Sequence, residues 1–222
     1  MFVDAFLVRM TLVPAVLALL GRRAWWLPRW LEARVPQLDV EGAGLHAHLE
    51  HEAWVRDHGQ VAVRADGAEV VDRHGRTVLP PATLVVPTGD LSVVALEDTR
   101  TRAALLAALA GRLPVTDGVL VVQDRILPTE AVAVRARVWH LPRFPDAALL
   151  ERLASRARAG ADLLLVVDGV DEASVAVQLE RWHRLVGLAE LGVTVVAGAS
   201  TTPDVPHHPL RPFAAAEKET VS

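Results

Sequence analysis

The sequence predicts an α/β fold in which an N-terminal membrane helix precedes a globular domain of strands and helices. Three observations indicate this class: an apolar run near the start, apolar strand-like runs alternating with helical segments after residue 60, and a hydrophobic content of 51% in 222 residues, enough for a packed core. We expect a membrane helix at 1–24, an interfacial segment and linker at 25–57, an α/β domain at 58–213 and a disordered tail at 214–222.

Composition excludes several classes of chemistry. The chain has no cysteine, so disulfides, thiolate zinc sites and thiol nucleophiles are ruled out. Its net charge is −4 and its pI is about 6.1, whereas nucleic-acid-binding domains are typically basic, so we expect no nucleic-acid partner. Its basic residues are 22 Arg and a single Lys, Lys218, which lies in the polar tail. A mechanism that needs a buried lysine is therefore excluded.

Phe2–Leu20 has the length and the flanks of a membrane segment. As a helix it would rise about 28 Å, close to the ~30 Å hydrocarbon core of a bilayer. Gly21-Arg22-Arg23 follow the run, whereas a secretory signal peptide carries its charges before it. Trp25, Trp26 and Trp30 come next, as at a membrane–water boundary. We therefore expect the lipid bilayer as a partner; the alternatives are an amphipathic surface helix and a core helix of a soluble protein.

Charged residues indicate the orientation and the context of this segment. Four Arg against one Glu lie between residues 21 and 35, which predicts that the chain after about residue 24 is on the cytoplasmic side of the cell membrane. Asp4 and Arg9 are costly in lipid and usually face a protein interior. A lone helix has no such interior, so the segment is predicted to belong to something larger.

The linker contains a His-rich patch. His46, His48 and His51 lie near Glu50 and Glu52, a composition that can bind metal. On a helix, however, neighbouring side chains lie three or four residues apart, so His46 and His48 do not face each other. We predict a solvated linker helix and no metal site.

The first elements of the domain are predicted to be strands. Val61–Val71 alternates apolar and polar residues and breaks at Gly67, which predicts a hairpin. Leu84–Val86 and Leu91–Leu96 are short β-branched runs separated by the turn Pro87–Asp90.

Helices and strands then alternate. A leucine stripe ended by Pro114 predicts a helix, continuous apolar runs predict strands buried on both faces, and Gly160 and Gly192 end two further helices. The predicted helices are Arg100–Leu113, Asp146–Ala159 and Glu172–Leu191, and the predicted strands are Val119–Val122, Leu163–Val167 and Val193–Val196. Strand, helix and strand at this spacing indicate a βαβ unit in a parallel sheet.

Five segments resemble, in order and spacing, the nucleotide-binding domain of ABC transporters. Val86–Leu96 is similar to the strand that leads into the family's phosphate loop, and Leu105–Pro114 to the helix after it. Thr116–Val119 and Leu127-Pro128 match the following strands, and Ala161–Asp168 is similar to the Walker B strand. The resemblance implies a P-loop-type α/β domain.

The residues with which that family binds and hydrolyses nucleotides are missing from the matching segments. A phosphate loop needs glycines, a Lys for the terminal phosphates and a Ser or Thr for Mg²⁺. Leu96–Ala103 contains no glycine, with Arg102 at the Lys position and Ala103 at the hydroxyl position. Gly169 stands after Asp168 where the family has its catalytic Glu, and no Leu-Ser-Gly-Gly-Gln signature occurs. The motifs are therefore degenerate, and we expect no ATPase activity and no catalytic residue.

The resemblance implies at most a vestigial nucleotide site, formed by Arg100, Arg102 and Asp168. Two arginines at a helix N-terminus can bind an anion. We expect no metal and no cofactor; ATP with Mg²⁺ is the alternative. A purely structural role is also open: Asp168, Asp171 and Glu172 precede a predicted helix, where a carboxylate commonly acts as an N-cap that stabilises the helix by ~1 kcal/mol.

The N-terminal segment carries a denser resemblance. Val3–Gly21, with the pattern Asp4-x-x-x-x-Arg9-x-x-x-x-Pro14, and Arg23–Leu31, with Trp25-Trp26-Leu27-Pro28, resemble the end of the last transmembrane region in MMPL-type transporters of the RND superfamily. The resemblance implies the C-terminal end of such a transporter with a cytoplasmic extension, and the rest of a transporter, or other membrane subunits, as its partner. An in-frame hydrophobic coding sequence upstream of Met1 is then expected.

Together the two resemblances predict the C-terminal portion of an MMPL/RND-like transporter with a non-hydrolysing, pseudo-ATPase module for regulation or assembly. The alternative is a membrane-tethered ATP-binding protein or ABC-type ATPase. A third hypothesis is a STAS-like regulatory domain over Leu163–Ser200, although Asp171–Ser174 departs from that family's Asp-Ser-Thr-Gly helix start. In the ABC-like case we expect the strand from Leu91 to lie beside the strand from Leu163.

Overall fold

The computed structural model describes residues 61–213, together with Leu49 and Ala53. The predicted membrane helix, the His-rich patch and the tail at 214–222 lie outside the described residues. Within the described part of the chain, no helix combines the length and the apolar character that crossing a bilayer requires.

Two β-sheets and four helices form this part of the chain. An antiparallel sheet has the strand order β2-β1-β4-β5, and a parallel sheet has the order β6-β7-β8-β3-β9. The strands are β1 (Val63–Val71), β2 (Thr77–Val86), β3 (Leu91–Ala95), β4 (Asp117–Val122), β5 (Arg125–Leu127), β6 (Val138–Leu141), β7 (Leu164–Val167), β8 (Thr194–Ala199) and β9 (His208–Leu210). The helices are α1 (Thr99–Leu109), α2 (Ala131–Arg137), α3 (Ala147–Arg158) and α4 (Val175–Glu190).

The parallel sheet has a hydrophobic core on each face. Successive residues of β7 alternate between them: Leu164 and Val166 pack with α1 and the antiparallel sheet, whereas Leu165 and Val167 pack with α3 and α4. All four are fully buried. The prediction of a continuous apolar strand buried on both faces is therefore confirmed.

The hairpin predicted over Val61–Val71 was wrong. β1 is a single strand that pairs with β2 on one side and β4 on the other, and its register shifts around Gly67. Gly67 has φ +58° and Gly118 lies so close that a Cβ there would come within 2.2 Å of the Gly67 carbonyl oxygen. A glycine break in an alternating run thus marks a bulge where two backbones meet rather than a turn.

Two short elements were missed between β4 and α3. α2 and β6 have seven and four residues, too few to show a clear period. The strand that the resemblance placed at Leu127 is β5, which has three residues and pairs with β4. The last strand was not predicted either: β9 begins at His208 and pairs with β3. β6 and β9 form the two edges of the parallel sheet.

The expectation that the strand from Leu91 lies beside the strand from Leu163 was also wrong. β8 lies between β3 and β7 and hydrogen-bonds to both. The fold therefore brings the loops after β3, β7 and β8 together at one edge of the sheet, because parallel strands end on the same side.

Candidate functional site

Of the three residues predicted to form a vestigial nucleotide site, the structure brings two together. Arg102, the fourth residue of α1, is 2% exposed and its Nε donates a hydrogen bond to Asp168 Oδ1 at 2.8 Å. Asp168 follows β7 and its side chain is 10% exposed. Arg100, by contrast, is exposed, and among the described residues its side chain makes no hydrogen bond or ion pair.

The Arg102 guanidinium also binds the two other loops at this sheet edge through Nη1. Nη1 donates to the carbonyl oxygen of Leu96, directly after β3, at 2.7 Å, and to Ser200 Oγ, directly after β8, at 3.2 Å. Asp168 Oδ1 also accepts the Gly169 N–H at 2.8 Å. One buried side chain therefore connects the ends of β3, β7 and β8.

Gly198 on β8 makes the space for this ion pair. A Cβ at residue 198 would lie 2.7 Å from Asp168 Oδ1, 2.8 Å from Leu106 Cδ1 and 3.1 Å from Arg102 Cδ. Sequence reasoning missed this residue. The available signal was a glycine close after the buried apolar run of a strand, which often marks a close approach by another group.

The N-terminus of α1 already holds a carboxylate. Asp98 accepts the Arg100 N–H at 3.1 Å and the Thr101 N–H at 3.3 Å, and it also accepts the Thr101 hydroxyl. The bond from the Thr101 hydroxyl, followed by that from the Arg100 N–H, holds the pKa of Asp98 below its ordinary value. The helix end where an external anion would bind is thus capped by the chain's own anion.

The acidic residues after β7 do not cap α4, so that expectation was wrong. The N-cap of α4 is Ser174. Asp168 binds Arg102, and Asp171 Oδ2 instead accepts the Ser200 N–H at 2.6 Å. Asp168 and Asp171 therefore hold the loop after β7 to α1 and to the loop after β8, respectively.

Helix α4 fixes the loop after β7 through two side chains. Arg181 Nη1 donates to the carbonyl oxygens of Gly169 and Val170, at 2.9 and 3.2 Å. Gln178 Nε2 donates to the carbonyl oxygens of Asp171 and Ala173, at 2.8 and 2.7 Å. Within residues 61–213 no group of three or more His, Asp and Glu side chains is placed to hold a metal ion. The site is therefore a hydrogen-bonded network that joins loops.

The pKa of His140, on β6, is lowered by its surroundings. Burial has the largest effect, the positive charge of Arg112 lowers the pKa further, and the negative charge of Asp168 raises it. Since the folded-state pKa lies below the ordinary value of 6.5, the unfolded chain binds the proton more readily. The contribution of His140 to stability is complete above pH 6.5 and is lost as the pH falls through its folded-state pKa.

We therefore expect Arg112→Ala to raise the pKa of His140 towards 6.5. The measurement is an NMR titration of the imidazole protons in the wild type and the variant, with Arg152→Ala as the control because Arg152 is also exposed but lies on α3 outside this group. An unchanged or lower His140 pKa in Arg112→Ala would contradict this electrostatic assignment.

The described domain has the mixed α/β fold of ABC-transporter ATP-binding domains. Its structure is similar to cbiO1 from Clostridium perfringens, part of the ABC transporter complex cbiONQ, with TM-score 0.50 and 10% identity over 64% of this chain and 79% of that one. It is also similar to a putative ABC transporter ATP-binding protein from Pyrococcus furiosus, with TM-score 0.50 and 11% identity over 66% and 95% of the two chains. The ADP conformation of another ATP-binding cassette gives TM-score 0.51 and 9% identity over 65% and 83%.

Short stretches of the sequence match a membrane protein and a lipid exporter. The chain is 47% identical to membrane protein YdfJ of Bacillus subtilis over 60 residues, which are 27% of this chain and 8% of YdfJ. It is 51% identical to the mycolic acid-containing lipids exporter MmpL11 of Mycolicibacterium smegmatis over 39 residues, which are 18% of this chain and 4% of MmpL11. The chain thus spans less than a tenth of the length of either relative. No protein-family model matches the sequence.

Proposed function

We propose that residues 61–213 form a non-hydrolysing, ABC-ATPase-like module that serves regulation or assembly of an MMPL/RND-like membrane transporter. The observation that carries this proposal is the buried Arg102–Asp168 pair. In the ABC resemblance these two residues occupy the positions that would serve the nucleotide phosphates and Mg²⁺, and here they bind each other.

The charge of Arg102 is already neutralised within the chain by Asp168. Its Nε and Nη1 groups donate to Asp168, Leu96 and Ser200. A nucleotide that drew Arg102 away from Asp168 would leave that carboxylate buried without its cation, which typically costs about 3–5 kcal/mol. Binding energy spent in this way is not available for affinity.

The connection between β3 and α1 is also too short for a phosphate cradle. β3 ends at Ala95 and α1 begins at Thr99, so only Leu96, Glu97 and Asp98 connect them. Of the eight positions in register with a phosphate loop, Leu96–Ala103, five already lie in α1, so few backbone N–H groups remain to surround a phosphate. Here Asp98 binds the first N–H groups of α1, and Glu97 adds a second negative charge beside them.

The transporter part of the proposal is supported by the matches to YdfJ and MmpL11. MmpL11 is named as an exporter of mycolic acid-containing lipids, and YdfJ is named as a membrane protein. We propose that this chain likewise resides at the cell membrane, with the α/β domain on the cytoplasmic side and with the rest of a transporter, or other membrane subunits, as its partner. The ABC-like module would then contribute a docking scaffold instead of energy from ATP.

Titrating the full chain with ATP and Mg²⁺ tests the proposal. The chain is purified from the membrane fraction, where we expect to find it, and followed by calorimetry and by phosphate release. We expect neither saturable heat nor turnover above background. Magnesium-dependent binding, or hydrolysis that Asp168→Ala abolishes and the control Glu151→Ala on α3 leaves intact, would favour the alternative of a membrane-tethered ABC-type ATPase.

A further inference from the structure

An arginine-lined cleft of about 510 Å³ lies along the edge strand β6. It opens beside Val138 and Leu163, at the amino ends of β6 and β7, whereas Asp168 follows the carboxyl end of β7. The cleft is therefore separate from the Arg102–Asp168 pair. Its volume falls in the range of ~300–1,000 Å³ that is typical of small-molecule sites.

Positive charge is concentrated in this cleft by the fold. Its lining contains four arginines and a single carboxylate, Asp162. The arginines come from three places in the chain: Arg112 follows α1, Arg135 and Arg137 lie in the last turn of α2, and Arg156 lies on α3. The cleft is thus locally cationic in a chain whose net charge is −4. Such a local excess attracts anions and concentrates them.

Most of these guanidinium groups have donors to spare. Arg135 donates to the Gly111 carbonyl oxygen at 2.8 Å, which fixes its position. Arg156 stacks over the Trp139 ring, 5.8 Å from the ring centroid. For Arg112 and Arg137 the structure gives no hydrogen bond or ion pair with any described residue.

Several arginines outside the cleft are neutralised by a carboxylate. In residues 61–213 the paired arginines are Arg64, Arg76, Arg102, Arg125 and Arg184. In the cleft, Asp162 accepts a hydrogen bond from Gln123 at 3.3 Å and pairs with none of the four lining arginines. The cleft therefore presents uncompensated guanidinium groups around one cavity, and these match an anion with several oxygen acceptors.

We propose that this cleft binds a phosphate-bearing ligand through Arg112, Arg137 and Arg156. Guanidinium forks bind phosphate oxygens in pairs, and the half-buried Trp139 provides a flat apolar wall beside them. The shared chemistry is a phosphate group with more than one negative charge, either soluble or on a lipid headgroup. This inference does not depend on the proposed function, because none of these residues takes part in the Arg102–Asp168 network.

His140 lines the same cleft and reports on its occupancy. Burial and Arg112 hold its pKa below the ordinary value, and Asp168 opposes them. The other charged groups around the cleft are Arg135, Arg137, Arg156 and Asp162. A bound phosphate would place negative charge beside these cations, so it should raise the pKa of His140.

The test uses the full chain in detergent, titrated with inorganic pyrophosphate by calorimetry and by NMR of His140. We expect saturable binding, a raised His140 pKa and weaker binding at higher salt. The double variant Arg112→Gln/Arg137→Gln should bind at least about tenfold more weakly, since it removes two positive charges and their charge-assisted hydrogen bonds to the phosphate. The matched control Arg143→Gln/Arg152→Gln removes two exposed arginines outside the cleft and should bind like the wild type.

A second titration with short-chain phosphatidic acid distinguishes the two sources of phosphate. Tighter binding of this lipid than of pyrophosphate, lost in the Arg112→Gln/Arg137→Gln variant, assigns the cleft to a headgroup; the reverse order assigns it to a soluble phosphate compound. Because both substituted residues are exposed, the variant should keep the melting temperature of the wild type. Absence of binding by both probes, or equal losses in the variant and the control, would overturn the proposal.

Discussion

Arg102→Leu should lower the free energy of unfolding by about 3–5 kcal/mol, because it leaves Asp168 buried without its cation. The variant also removes the hydrogen bonds to Leu96 and Ser200, so the loops after β3 and β8 lose their common partner. The measurement is urea denaturation followed by tryptophan fluorescence, since Trp182 is buried in the core on the α4 face of the parallel sheet.

The matched control for this experiment is Arg184→Leu on α4. Arg184 also pairs with a carboxylate, Glu180, but the two side chains are 42% and 60% exposed. Exposed pairs of this kind contribute at most about 1 kcal/mol. Similar losses of stability in Arg102→Leu and Arg184→Leu would contradict the role given to burial.

A double variant tests whether the unpaired charge of Asp168 causes the loss of stability in Arg102→Leu. Replacing both partners, as in Arg102→Leu/Asp168→Leu, removes the unpaired charge and should recover much of the stability that Arg102→Leu loses, because buried ion pairs often exchange for apolar residues at little cost. Failure to recover would mean that the contacts to Leu96 and Ser200 carry most of the stabilisation.

Gly198→Ala should lower the free energy of unfolding by about 1–3 kcal/mol, the usual cost of overpacking a filled interior. The new methyl group would lie under 3.0 Å from both Asp168 Oδ1 and Leu106 Cδ1. Leu106 can adjust at the end of its side chain, whereas the Asp168 carboxylate is held by Arg102 and by the Gly169 N–H. The ion pair therefore has to shift.

Gly187→Ala on α4 is the control for Gly198→Ala. Apart from the adjacent backbone of α4 itself, no atom lies within 4 Å of the position of a Cβ at residue 187. Alanine in a helix is more favourable than glycine by roughly 0.5–1 kcal/mol, so this variant should be stabilised. Thermal unfolding of both variants gives the comparison, and an unaffected melting temperature in Gly198→Ala would show that β8 has more room than its contacts indicate.

Sequence reasoning succeeded where one element carries its own pattern. The continuous apolar runs of β7 and β8 predicted buried strands, and the leucine stripe of α1 predicted a helix, because burial on one or both faces determines which positions must be apolar. It failed where a pattern has two physical causes. Alternation broken at Gly67 occurs both in hairpins and in bulged strands, and only the pairing of β1 with β2 and β4 separates the two.

Short elements were predictable only in part for a different reason. β5, α2 and β6 have too few residues to show a period, and their positions depend on partners that are distant in the sequence.

The arginine cleft depends on two of these short elements, α2 and β6. More than twenty positions separate Arg112 from Arg137, and nineteen separate Arg137 from Arg156. The three arginines line one cavity because α2 leads directly into β6 and α3 packs on the other side of the same sheet edge.

The sequence by itself determined the α/β class, the lack of cysteine chemistry and the absence of lysine and glycine from Leu96–Ala103, since these follow from residue types and local periods. Only the tertiary structure decided what the remaining charges do. Arg102 and Asp168 are 66 positions apart, and they became partners because β8 lies between β3 and β7 and carries a glycine where the two side chains meet. Arg100, two residues from Arg102, remains at the surface, since consecutive turns of a helix bury only one of its faces.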